Sequence, residues 1–180
     1  MKNKFIKCVA LLFVLAFALA SVSCGSQDAE VPEGMKRIES TDKLRFDFFL
    51  PETWVQDLST GVVSAYYGLK DMSNVSVSTF SVDDYEKTLG TYVDEYIDGL
   101  KTTFSDFELT EDGIRDTLLG KTAAKKFEYT AKLTENEYKF MQVITVYSGY
   151  MYIFTYTSQA AAYDSHLEDV QLMLDNFSFN

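Results

Sequence analysis

The stretch MQVITVYSGYMYIFTYT, residues 141–157, constrains this chain more than any other. Its two arms, 141–147 and 150–157, flank Ser148-Gly149, a two-residue hairpin signal. Both arms are apolar or aromatic in both phases. A strand with one wet face alternates, whereas a strand without alternation is covered on both sides. The hairpin therefore predicts the middle of an antiparallel sheet with helical cover on each face.

The rest of the chain supplies the parts. In LRFDFFL, Leu44, Phe46, Phe48 and Leu50 share one face, and Pro51 ends the run. VVSAYY (62–67) and NVSVSTF (74–80) read as short strands around a turn at Gly68 to Ser73. Leu89, Tyr92, Val93, Tyr96, Ile97, Leu100 and Phe104 then fall at helical spacing, with Thr91–Asp94 or Thr88 as the N-terminal cap. FEYTAKL (127–133) alternates cleanly, and TENE (134–137) is its turn. A last helix over about 159–175 carries Tyr163, Leu167, Val170 and Leu174 as its apolar stripe, and Phe177 and Phe179 close the chain as a short strand. The sum is an α+β fold, a three-layer α/β/α sandwich on a mainly antiparallel sheet, in one domain over 35–180.

The N-terminal region predicts an address. Lys2, Lys4 and Lys7 precede twelve apolar residues, Val9 to Ala20, the length of a signal-peptide core and too short for a bilayer of roughly 30 Å. Cys24 follows Ser21-Val22-Ser23 and precedes Gly25-Ser26, which resembles the lipobox of bacterial lipoproteins, although Ser21 stands where leucine is usual. The alternative is an ordinary signal cut near Ala20 to Ser23, leaving a free thiol that is a liability in an oxidising compartment. Residues 1–23 thus read as a lipoprotein signal that takes Cys8 with it, and 24–34 as a lipidated cysteine with a flexible tether. The expected location is the extracytoplasmic face of a cell membrane.

Charge narrows the partners. The formal net charge is −11, and it becomes −14 once the three lysines of residues 1–23 are gone. Nucleic acid would be repelled, as would anionic lipid, so attachment should rest on acyl chains at about 0.8 kcal/mol per buried CH₂. With Cys24 acylated no thiol remains for a disulfide or metal, and a domain of roughly 145 residues buries about 70% of its surface without such help.

Few motifs carry chemistry. Gly120-Lys121-Thr122 matches the end of a phosphate loop, but position 115 is arginine where a glycine is required, and a strand-like stretch follows. His166 is the sole histidine, which excludes paired-histidine zinc sites, and no G-x-S-x-G elbow is present. On the border of a helical stripe it reads as a packed side chain. Glu108 to Leu119 fails as a calcium loop, since Leu119 replaces the bidentate glutamate. Asp94, Glu95 and Asp98 crowd one helix and Asp164 and Glu168 the other, a candidate divalent-cation site or simply a solvated face. Trp54, Tyr147, Tyr150 and Tyr152 are the candidate aromatic binding surface, with core packing the alternative for Trp54.

FLPETWVQ (49–56), NVSVSTF, TYVDEYIDGLKTTF (91–104), LLGKTAAKKFEY (118–129), YIFTYTS and YDSHLEDVQLMLDNFSF (163–179) together resemble the PsbP-like lipoproteins. The resemblance covers nearly all of 37–179 and implies the α/β/α sandwich shared by the photosystem II extrinsic protein PsbP, the lipoprotein DcrB and a eukaryotic Ran-binding relative. It implies no catalytic residue and no cofactor, and the ligands and partners of such proteins differ. The expected function is a lipid-anchored binding or scaffold module without catalysis, for an unidentified protein or small ligand. Calcium-type binding and a carboxylate-based cell-wall hydrolase, whose acids would sit about 5 to 9 Å apart, are the alternatives. Cys24→Ala should release the protein from membranes in a fractionation assay; retention in the membrane after signal cleavage would sink the anchor.

Overall fold

The computed structural model describes residues 29–40, 43–60 and 62–180; Cys8, Cys24 and the expected signal lie outside them. Val31–Asn180 form one compact unit. Every buried apolar residue among those described lies inside it, so the unit carries its own core.

The elements are β1 (Met35–Arg37), β2 (Phe46–Asp47), β3 (Phe49–Pro51), β4 (Val55–Asp57), β5 (Val63–Tyr66), β6 (Asn74–Ser81), α1 (Leu89–Thr103), β7 (Glu108–Leu109) and β8 (Arg115–Leu119). The second half adds β9 (Thr122–Leu133), β10 (Asn136–Tyr147), β11 (Tyr150–Gln159), a 3₁₀ turn (Tyr163–His166), α2 (Leu167–Asp175) and β12 (Ser178–Phe179). Among the described residues, one eight-stranded sheet runs β4-β5-β6-β11-β10-β9-β7, with β8 also on β9. Its pairings are antiparallel. Two small ladders, β1 with β3 and β2 with β12, stand beside it.

The expected double cover is present. Val143, Ile144, Tyr152, Ile153 and Phe154, which include both phases of each arm, are each at most 2% exposed. One face meets α1, where Val93 and Ile97 pack on Phe127, Tyr129, Ala131, Phe140, Ile144 and Ile153. The other meets the small ladders and the C-terminal segment: Phe46 lies edge-on to Tyr152, Phe48 to Phe154, and Tyr156 packs on Tyr163 at 5.0 Å. Each such apolar side chain removed from water contributes about 1.5–3 kcal/mol. Helix α1 begins where the Thr88 hydroxyl accepts from the Thr91 amide at 3.2 Å, and ends as Phe104 turns extended. Thr88, not the Thr91–Asp94 pair, is therefore the cap.

Three expectations change. LRFDFFL is two short strands, not one, because Phe48 leaves the ladder and gives its carbonyl to Ile38 N (3.0 Å); Phe46, Phe48, Phe49 and Leu50 are all buried, so no side alternates. The last helix starts late: β11 continues to Gln159, and the Tyr163 carbonyl accepts from the Tyr156 hydroxyl at 2.8 Å within a 3₁₀ turn before α2 begins. The TENE turn is only Thr134-Glu135, since Asn136 already pairs with Leu133.

Gly120 and Lys121, the supposed phosphate loop, are the two-residue turn between β8 and β9, with φ of 56° and 66°. A two-residue hairpin of this twist requires left-handed residues at both positions. A Cβ on Gly120 would also meet the Phe179 ring at 2.8 Å. Gly120→Ala should lower the unfolding midpoint by several degrees in a thermal melt, on the order of 1–2 kcal/mol from backbone strain and forced movement of Phe179. An unchanged midpoint would mean that the ring has room to move.

Candidate functional site

Two groups of polar side chains stand out, one closed and one open. The closed group joins the 68–73 turn to the C-terminal helical segment. Asp71 Oδ1 accepts from the Ser73 amide (3.0 Å) and hydroxyl (2.6 Å), while Oδ2 lies 2.7 Å from His166 Nε2. Ser73 Oγ in turn lies 2.7 Å from Ser158 Oγ. The imidazole is buried, packed on Tyr67 at 4.0 Å and edge-on to Trp54. Trp54 Nε1 donates to Asp169 Oδ2 at 2.7 Å. Burial opposes ionisation of Asp71, but the Ser73 hydrogen bonds and His166 outweigh it and hold the carboxyl below its ordinary value.

Serine, histidine and aspartate are thus together, yet not as a nucleophile and its base. The serine hydroxyl serves the carboxylate and not the imidazole, and both Ser73 and His166 are shut away from solvent. The group is a clasp. Trp54, which the sequence offered as part of an aromatic surface, is instead fully buried within it.

The open group lies at the turn of the β10–β11 hairpin. A cavity of about 450 Å³ is lined by Lys43, Leu44 and Arg45 ahead of β2, by Tyr147, Ser148 and Tyr152 of the hairpin, and by Asn180 after β12. Such a volume is in the range of small-molecule sites. The last residue is pinned across it: Asn180 N donates to Arg45 O at 3.0 Å and its side-chain amide to Leu44 O at 3.3 Å. Rings build the floor, with Tyr147 stacked on Phe179 at 4.3 Å and Tyr152 edge-on to Phe179 at 4.8 Å. The Arg45 guanidinium sits 4.4 Å over the Tyr150 ring.

Two features of this cavity are costly for folding. Tyr152 is fully buried, and its hydroxyl has no hydrogen-bond partner, an arrangement that costs about 1–3 kcal/mol. Burial raises its pKa, with Arg45 pulling the other way. Ser148 holds φ at 48°, and Gly149 at 78°, a turn that asparagine or glycine would fill with less strain. Costs of this kind gather at functional sites.

Of the sequence candidates, Tyr147, Tyr150 and Tyr152 come together here. The acidic candidates do not converge. Glu95 pairs with Lys87 at 2.8 Å and Asp98 with Lys101 at 3.0 Å, while Asp94, Asp164 and Glu168 are exposed. Asp164 lies in the 3₁₀ turn and Glu168 in α2, so they share no regular helical face. Among the described residues no three carboxylate, imidazole or thiolate groups form a metal cage, and no helix is long and apolar enough to cross a membrane. Lys43 and Arg45 escaped the sequence reading because two cations before a strand look like solvated surface.

The architecture is a PsbP-like α+β sandwich. Solved structures that share it include cyanobacterial PsbP (CyanoP) from Synechocystis sp., with a TM-score of 0.59 and 18% identity over 88% of this chain and 98% of that one. The Ran-binding protein Mog1p of Saccharomyces cerevisiae has a TM-score of 0.56 at 6% identity, over 81% of this chain and 95% of its own. A protein of unknown function from Pseudomonas aeruginosa has 0.51 at 14%, over 79% and 94%. At these identities the likeness is one of fold. No family model and no curated protein matches the sequence.

The clasp makes a stability prediction. A carboxyl with a depressed folded pKa stabilises above the ordinary carboxyl range, near pH 3.9, and the contribution is lost as pH falls through the depressed value. Asp71→Asn should therefore lose about 1 kcal/mol at neutral pH in urea unfolding, allowing for partial exposure. The gap to wild type should close on strong acidification. Equal stability of the two proteins at neutral pH would show that the clasp contributes nothing.

Proposed function

We propose that this protein is a non-catalytic binding module, held at the extracytoplasmic face of a membrane through lipid on Cys24, and that it binds a small ligand in the hairpin cavity. The observation that carries the reading is Tyr152, a buried tyrosine that lines a small-molecule-sized cavity with an unpartnered hydroxyl. A fold optimised only for stability would use phenylalanine there. The strained Ser148, whose residue also lines the cavity, points the same way.

The absence of a catalytic pair supports binding over chemistry. The clasp offers its serine and histidine to no substrate, and among the described residues the side chains lining the cavity include no carboxylate to act as acid or base. The hydrolase alternative needs two acids facing across a cleft, and no such pair lines this cavity among the described residues. Fold likeness adds only that the architecture is compatible with binding, as in a protein named for binding Ran.

Thermal unfolding against a chemically broad set of small molecules tests the reading, with Leu44→Trp as a cavity-filling control. A ligand at about 100 times its dissociation constant adds roughly 2.7 kcal/mol, several degrees in midpoint. Ligands should raise the wild-type midpoint and leave Leu44→Trp unmoved. Tyr152→Phe should melt no earlier than wild type without ligand, because it removes an unpaired buried hydroxyl, but should respond less to ligand. Equal response of wild type and Leu44→Trp would place binding elsewhere.

A further inference from the structure

We infer that the ligand of the hairpin cavity is a small anion, bound through a carboxylate or phosphate group; the inference rests on the proposed binding role of that cavity and specifies its chemistry. The charged side chains that line the cavity, Lys43 and Arg45, are both cationic. Only Leu44 separates the two cations in the sequence; of the acids flanking them, Asp47 pairs with Arg37, and Asp42 lies outside the described residues. Neither side chain has an ion-pair partner among the described residues. Several cations of the sheet do: Lys125 pairs with Asp116, while Arg115, Lys126 and Lys139 gather around Glu128.

The hydrogen-bonding groups match an oxyanion. Arg45 offers a planar fork of donors suited to carboxylate or phosphate, and its stacking on Tyr150 holds that fork in one place. Tyr152 offers a hydroxyl that burial keeps protonated, hence a donor. Ser148 adds a hydroxyl on a rigid two-residue turn, and Lys43 a mobile ammonium. An anion would thus neutralise the two cations together. Carboxylates farther away than about 8 Å are largely screened at physiological salt. The ring of Tyr147, backed by Phe179, and the side chain of Leu44 suit an apolar or planar body attached to the anionic group.

The Val31–Asn180 unit, which holds its own core, is titrated with inorganic phosphate, phenyl phosphate and benzoate while backbone amide resonances are followed. Movement of Arg45 and of Tyr147–Tyr150, with phenyl phosphate tighter than inorganic phosphate, is the expected result. Arg45→Ala should weaken binding about tenfold, or roughly 1.4 kcal/mol, with Arg45→Lys recovering part of it and both variants melting like wild type. Tyr152→Phe should weaken binding several-fold without loss of folding. Vesicles of phosphatidylglycerol in phosphatidylcholine form the second arm. Binding to vesicles that depends on Arg45, without response to the soluble anions, assigns the anionic group to a lipid headgroup; response to the soluble anions alone assigns it to a free metabolite-sized molecule. Silence in both arms from a folded protein overturns the inference, as does unchanged anion affinity in Arg45→Ala. If neutral ligands bind the cavity while anions do not, the anion inference fails and the binding role stands.

Discussion

Burial of the β10–β11 hairpin on both faces is the constraint on which the rest of the structure depends. Two adjacent strands with no polar side must each be covered twice, and the chain has few apolar segments with which to do it. Helix α1 supplies one cover through Val93 and Ile97. The other is assembled from pieces far apart in sequence: Phe46 and Phe48 before the sheet begins, Tyr163, Val170 and Met173 after it ends, and Phe177 beyond them. Because those pieces are short, none is stable alone, and they lean on one another through ring contacts such as the stacking of Phe46 on Phe177 at 5.1 Å.

The cavity is a by-product of that assembly at one end. Where the hairpin turns, the covering layer runs out, and the segments before β2 and after β12 meet beyond its edge. They meet through hydrogen bonds from the Asn180 backbone amide to Arg45 O and from its side-chain amide to Leu44 O. The result is a floor of packed rings with Lys43 and Arg45 at its rim. A buried tyrosine with an unpartnered hydroxyl and a serine in left-handed backbone meet at this one place.

What could be read from the residues follows the range of the forces involved. The hairpin, α1 and the double cover were legible because each is written in neighbouring side chains: two unalternating arms around Ser148-Gly149, and an apolar stripe from Leu89 to Phe104. The 46–50 segment misled because its alternation of phenylalanines with Asp47 looks like a wet-faced strand, while the fold buries Phe49 as well by splitting the run between two ladders. His166 was legible as a packed side chain but its partner was not, since Asp71 lies 95 positions away. The cavity was half legible. Its two tyrosines, Tyr147 and Tyr152, could be grouped with Tyr150 by their place on one hairpin, whereas Lys43, Arg45 and Asn180 reach it only through the pairing of β2 with β12.

The ends of the main sheet carry a last consequence. Its outer strands are β4, three residues long, at one end, and β7, two residues long, with β8, five residues long, along β9 at the other, while the long strands β9, β10 and β11 lie between them. A long bare edge offers a row of open amides and carbonyls onto which a second molecule can add a strand; a short one does not. Crowded copies of this domain would find no extended template on one another, so the sheet can be rich in tyrosine and phenylalanine without becoming the seed of a fibre.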